Sequence, residues 1–130
     1  MPACSSSPEY HERGGIIDSE VARERTRLPL ACKMSELTYE QRQRQQDLYR
    51  KLRADVKEVR ELQDGYAFRH SADGDTLLTI AEFVSNERLC CPFFEFEISI
   101  GRDGGPVWLR MSGEGEAKRV LEMEMGVGVW

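Results

Sequence analysis

"NERLCCPFFEFEISI", residues 86–100, is the stretch on which the fold turns. Its first half continues a helical pattern. Its second half alternates, with Phe94, Phe96, Ile98 and Ile100 on one side and Glu95, Glu97 and Ser99 on the other, the period of a strand. The change falls at Cys90-Cys91-Pro92. Proline has no N–H to donate and drives the residue before it out of the helical region, so the helix must stop there. A helix therefore runs into a strand with two thiols side by side at the bend.

Upstream, the pattern predicts a helix from about 76 to 89 or 90. Leu77, Ile80, Ala81 and Val84 mark its buried face, widened by Leu78 and Phe83. "SADGD" (71–75) is a turn with helix-capping residues. "YAFRH" (66–70) alternates as a short strand, Tyr66, Phe68 and His70 facing one way. Downstream, "GRDGGP" (101–106) reads as a hairpin loop. "VWLRMS" (107–112) reads as a strand with Val107, Leu109 and Met111 inward and Arg110 within reach of Glu95 or Glu97. A last helix is expected over about 114–124.

Ahead of all this, a long helix is expected from 36 or 39 to 63. Thr38 with Gln41 makes a capping box, and Leu48, Leu52, Val56, Val59 and Leu62 draw one apolar stripe. Gly65 can close it in the left-handed conformation. The run "YEQRQRQQD" (39–47) is polar nearly all round and reads as solvated. The expected fold is α+β: an N-terminal helix followed by β-α-β-β-α, with a parallel crossover and a three-stranded mixed sheet packed against helices. Residues 1–31 read as a flexible arm with a short helix near 18–27, residues 32–125 as one domain and 126–130 as a tail.

The 130 residues are 40% apolar, enough for one modest core. Asp and Glu (23) outnumber Lys and Arg (18), which removes the electrostatic case for a nucleic-acid partner. No apolar run approaches the roughly 20 residues of a membrane span, and the N-terminus lacks the basic-then-apolar order of a secretory signal. The expected setting is the cytoplasm, with Cys4, Cys32, Cys90 and Cys91 all as thiols.

A bond between adjacent cysteines is strained, because trans neighbours stand about 3.8 Å apart at Cα and disulfides want at least about 4.4 Å. A thioredoxin-type dithiol sits at a helix N-terminus, whereas this pair sits at a helix C-terminus, where the dipole opposes thiolate. Metal binding survives these tests. Cys32, in "LPLACKMSEL", lies just ahead of the first long helix, at the end whose dipole favours thiolate. If that end docks on the bend, Cys32, Cys90 and Cys91 form a three-thiolate cluster suited to mercury(II), arsenic(III), lead or zinc. Zinc asks for a fourth ligand, for which His70 is a candidate, and Arg88 could offset the accumulated charge.

Each residue also has a plainer reading. Cys90 can be a small core residue and Cys32 incidental. Glu87–Arg88 reads as a solvated ion pair, and Phe93, Phe94 and Phe96 as packing. No nucleotide, zinc-protease or serine-hydrolase motif is present, so no catalytic role is assigned. The main alternative is a non-catalytic interaction or dimerisation module with structural cysteines. It would use Trp108 with Tyr66 or Phe93, or an open strand edge, and leaves a homodimer open. A cysteine-dependent enzyme acting on a thiol-reactive substrate ranks last.

"ERLCCPF" (87–93), "DGYAFR" (64–69), "GPVWLRMSG" (105–113) and "ACKMS" (31–35) together resemble a group of small bacterial proteins of no assigned activity. They share a Cys-Cys-Pro-Phe core and are associated with heavy-metal resistance loci. The resemblance spans about residues 30–122. It implies a heavy-metal setting and the ligand positions Cys32, Cys90 and Cys91, without a mechanism.

Overall fold

The structure is a computed structural model that describes residues 33–126. The arm 1–31, its 18–27 helix, Cys4, Cys32 and residues 127–130 lie outside the described residues. A 3-10 turn, Met34–Glu36, leads into helix α1, Tyr39–Asp55. Strands β1 (Glu58–Leu62) and β2 (Gly65–His70), helix α2 (Gly74–Cys90), strands β3 (Glu95–Ile100) and β4 (Val107–Ser112) and helix α3 (Ala117–Met125) follow. The class is α+β.

The start of α1 forms as its capping box requires. Gln41 N–H donates to Thr38 Oγ1 at 3.1 Å, and Thr38 N–H donates to Gln41 Oε1 at 2.8 Å. Its end falls earlier than the stripe implies. Residues 58–62 are a strand, joined to β2 through a turn at Gln63 and Asp64. The β-branched Val56 and Val59 favour extended backbone, and Asp64 is a common turn residue. Gly65 closes no helix. A Cβ there would lie 2.0 Å from the Met111 carbonyl oxygen, so only glycine lets β2 approach β4 this closely.

The sheet has four strands in the order β1-β2-β4-β3, and every neighbouring pair is antiparallel. This corrects the three-stranded mixed sheet: β4 inserts between β2 and β3, so the crossover through α2 joins strands that are not neighbours. The register puts Phe68 opposite Leu109 and Leu109 opposite Ile98. Phe68, Leu109 and Met111 are buried with Leu48 and Leu52 of α1, Ile80 and Phe83 of α2 and Leu121 of α3. The other face is polar. Arg110 stands opposite Glu97, with their charged atoms 3.9 Å apart, and the Arg60 guanidinium lies 4.4 Å over the Trp108 ring.

Helix α2 is rotated from its expected setting. Ile80, Phe83, Glu87 and Cys90 face inward, while Ala81 is exposed and Leu78 is 70% exposed. Among the described residues no helix is long and apolar enough to cross a membrane.

Candidate functional site

Asp73 caps α2 by accepting from the Thr76 N–H at 2.8 Å, which sets where each later residue points. Steps of three and four from Phe83 carry Glu87 and Cys90 onto the buried face. Cys91 is the C-cap, its N–H bound to the Glu87 carbonyl at 2.7 Å, and Pro92 prevents another turn. The chain then bends into β3. The loop after β4 closes on this bend at Gly113, where a Cβ would stand 2.7 Å from the Phe93 carbonyl oxygen.

The two sulfurs converge. Cys90 Sγ and Cys91 Sγ lie 3.9 Å apart, and Cys91 Sγ lies 3.7 Å from Glu124 Oε1 on α3. Among the described residues, Glu87, Cys90 and Cys91 form a group whose ligand atoms all fall within 4.8 Å of one another, and all three residues are buried. Lys33 N–H donates to the Cys90 carbonyl, so the segment that follows Cys32 directly is tied to the same bend. The two sulfurs are not bonded to each other. Cys91 is disulfide-bonded, which departs from the expectation of four thiols.

Around the sulfurs sits a polar cluster that the sequence reading did not foresee. Glu87 is 1% exposed and is no solvated partner of the exposed Arg88. It accepts from the Tyr49 hydroxyl and lies 3.5 Å from Gln45 Nε2. The Tyr49 hydroxyl also stands 3.0 Å from Glu124 Oε2. A phenol has one proton, so it serves one carboxylate at a time. Burial, with the neighbouring Glu124 charge, pushes the Glu87 carboxyl up to about 7, and burial raises Glu124 as well. Burial, with both carboxylates, also raises the Cys90 thiol to about 11, so Cys90 holds its proton at neutral pH. Gln45, in the segment read as solvated, is 5% exposed. Its Nε2 donates to the Phe83 carbonyl at 3.0 Å, while its Oε1 has no hydrogen-bond partner.

The remaining expected residues fall elsewhere. His70 is buried at the end of β2 with Nδ1 3.1 Å from Asp55 Oδ2, outside the sulfur group. Arg88 is exposed on the last turn of α2. Tyr66 and Phe93, proposed with Trp108 as an exposed aromatic face, are 7% and 2% exposed and belong to the core. A signal for the missed residues was present. Gln45 precedes Leu48 by three and Leu52 by seven, and Glu87 lies midway between Phe83 and Cys90, so both fall on apolar stripes.

Beside Cys90 lies a cleft of about 250 Å³ between α1, α2 and α3. Gln45, Tyr49, Glu87 and Glu124 line it, and the solvent-facing Gln46, Arg50 and Arg53 form part of its rim. No protein-family model, curated protein or solved structure matches this chain.

Proposed function

We propose that the protein binds a soft metal or metalloid ion, of the class of mercury(II) or arsenite, through a thiolate cluster of Cys90, Cys91 and Cys32. The observation that carries this reading is the 3.9 Å separation of the Cys90 and Cys91 sulfurs at a backbone bend. Metal–sulfur bonds near 2.3 Å in a trigonal site place sulfurs roughly 4 Å apart. The bond from Lys33 N–H to the Cys90 carbonyl supports Cys32 as the third donor, since the two residues are adjacent in sequence and one peptide unit spans only about 3.8 Å. The resemblance to proteins of heavy-metal resistance loci points the same way. The ligand-competent form is the reduced one: a dithiol reductant delivers two electrons and two protons, and Cys91 and its partner become thiols.

Binding displaces thiol protons, so affinity falls as pH falls. In reduced protein, Cys90→Ser and Cys91→Ser are each expected to weaken mercury(II) binding by about a hundredfold or more, read by competition titration against a chromogenic chelator. Unchanged affinity in the double serine variant would overturn the reading.

One observation favours the interaction module as a second reading. Strand β3 is an edge of the sheet, and its Ile100 is 51% exposed. A homodimer through this edge would be indifferent to thiol reagents and lost in Ile100→Lys, as read by sedimentation equilibrium.

A further inference from the structure

Three thiolates suffice for arsenic(III), but zinc(II) or cadmium(II) asks for a fourth ligand. His70, the candidate on sequence grounds, lies outside the sulfur group, and Glu87 lies inside it. Each of Glu87, Cys90 and Cys91 offers one ligand atom, and all three atoms fall within 4.8 Å of one another. The helix imposes this arrangement, because Glu87 stands one turn before the sulfurs, at i against i+3 and i+4. A tetrahedral ion with bonds near 2.3 Å to sulfur and 2.0 Å to oxygen sets the two donors about 3.5 Å apart, so the longest contact closes by roughly 1 Å. Glu124 Oε1 reaches Cys91 Sγ at 3.7 Å yet does not join the group, so Glu87 is the oxygen donor common to both sulfurs.

The surroundings of Glu87 suit a ligand rather than an ion-pair partner. It is 1% exposed, and its near polar partners are two neutral groups, the Tyr49 hydroxyl and Gln45 Nε2. Among the described residues no Lys, Arg or His forms an ion pair with it. A buried carboxyl with no cation beside it keeps a proton or takes a metal in its place. Ligating carboxylates are in turn steadied by a hydrogen bond from a further group, which the Tyr49 hydroxyl supplies here.

We propose that Glu87 is the oxygen ligand of the thiolate site, completing with Cys90, Cys91 and Cys32 a four-coordinate place for a borderline dication, zinc(II) or cadmium(II). The inference rests on the thiolate reading and adds an ion class to it. Glu87 then sorts the ions. Arsenic(III) carries a lone pair where a fourth ligand would sit, so it uses the sulfurs alone. Binding of the dication to the reduced chain forms metal–sulfur and metal–oxygen bonds and releases the donors' protons to solvent; nothing is oxidised or reduced in that step.

The test titrates the reduced full chain with zinc(II) and cadmium(II) against a chromogenic chelator, and with arsenite by calorimetry. Glu87→Gln is expected to weaken zinc(II) and cadmium(II) binding by about ten- to a hundredfold or more and to leave arsenite affinity unchanged. Cobalt(II) in place of zinc(II) adds a spectroscopic signature: the strong visible bands of a tetrahedral site should appear in the native chain and be lost in Glu87→Gln. Glu87→Cys, which offers sulfur in place of oxygen, should keep those bands and strengthen the sulfur-to-cobalt absorption. Zinc(II) affinity and cobalt(II) bands that survive Glu87→Gln, an equal loss of arsenite binding in that variant, or an unchanged spectrum in Glu87→Cys overturns the oxygen ligand. So does a native chain that binds arsenite but neither zinc(II) nor cadmium(II), and in that case the thiolate reading stands. Failure of both arsenite and mercury(II) to bind the reduced native chain overturns the thiolate reading and the oxygen ligand with it.

Discussion

Two polar clusters meet α1, one at its C-terminal end and one near its middle, and they are built to opposite rules. At its C-terminal end, Asp55 accepts from the Ser71 N–H at 2.9 Å, from the Ser71 hydroxyl and from His70 Nδ1 at 3.1 Å. Burial alone would raise this carboxyl, but the Ser71 and His70 hydrogen bonds outweigh it and hold Asp55 below the usual range. Burial lowers His70 against the pull of Asp55, so the imidazole is neutral at neutral pH. Near the middle of α1, Gln45 and Tyr49 meet Glu87 and Glu124. There two carboxylates share one phenol, both are raised, and one amide oxygen has no partner. The first cluster has a donor for its carboxylate and ties α1 to the strand ends. The second sets two raised carboxyls and one unpartnered amide oxygen beside two sulfurs and a cleft. Unsatisfied polarity, rather than polarity as such, separates the candidate site from the scaffold.

Swapping acid for amide in each cluster should give opposite signs. The largest effect is expected at Glu87. Its folded value near 7 lies above the ordinary 4.5, so the folded state holds this proton more tightly than the unfolded chain does. Stability is therefore greatest below about pH 4.5 and is lost as pH rises through 7, at about 1.4 kcal/mol per pH unit. Glu87→Gln should gain about 2–3 kcal/mol at pH 8 in urea unfolding and flatten the dependence between pH 5 and 7. A loss of stability at pH 8 would mean that the carboxylate is well solvated there.

Asp55→Asn should do the reverse and cost about 2 kcal/mol at pH 7, because an acceptor of three hydrogen bonds is weakened while His70 and Ser71 stay buried or half-buried. A neutral outcome would show that this cluster does not hold α1 to the sheet. The smallest change belongs to Gln45→Met. Losing the bond to the Phe83 carbonyl costs about 1 kcal/mol, and removing the unpartnered Oε1 returns a similar amount. Thermal denaturation should show a shift within about 0.5 kcal/mol of zero. A cost above about 2 kcal/mol would place Gln45 among the scaffold residues instead.

Several elements were legible from local chemistry. The Thr38–Gln41 capping box, the stop at Pro92, the alternation in β3 and β4 and the facing of Arg110 with Glu97 each depend on neighbours a few residues apart, or on one hairpin. The break after Asp55 is masked in the sequence because Val56, Val59 and Leu62 are spaced like a helix stripe. The turn residue Asp64 and the β-branching argued the other way, and pairing with β2 settled the matter. The rotation of α2 was also hidden, since Leu77, Leu78, Ile80, Ala81, Phe83 and Val84 wrap most of the helix and their periodicity alone leaves its facing undefined.

By itself, then, the sequence determined that two thiols leave a helix at a forced bend, because proline chemistry acts over one or two residues. It also determined the α+β class, because hydrophobic period distinguishes helix from strand locally. Only the tertiary structure decided that Glu87 turns inward, that Tyr49 and Glu124 arrive beside it from two other helices, and that Cys91 is oxidised. Desolvation and like-charge repulsion depend on groups 38 and 75 residues apart in the chain, as Tyr49 is from Glu87 and from Glu124, and no local pattern encodes them.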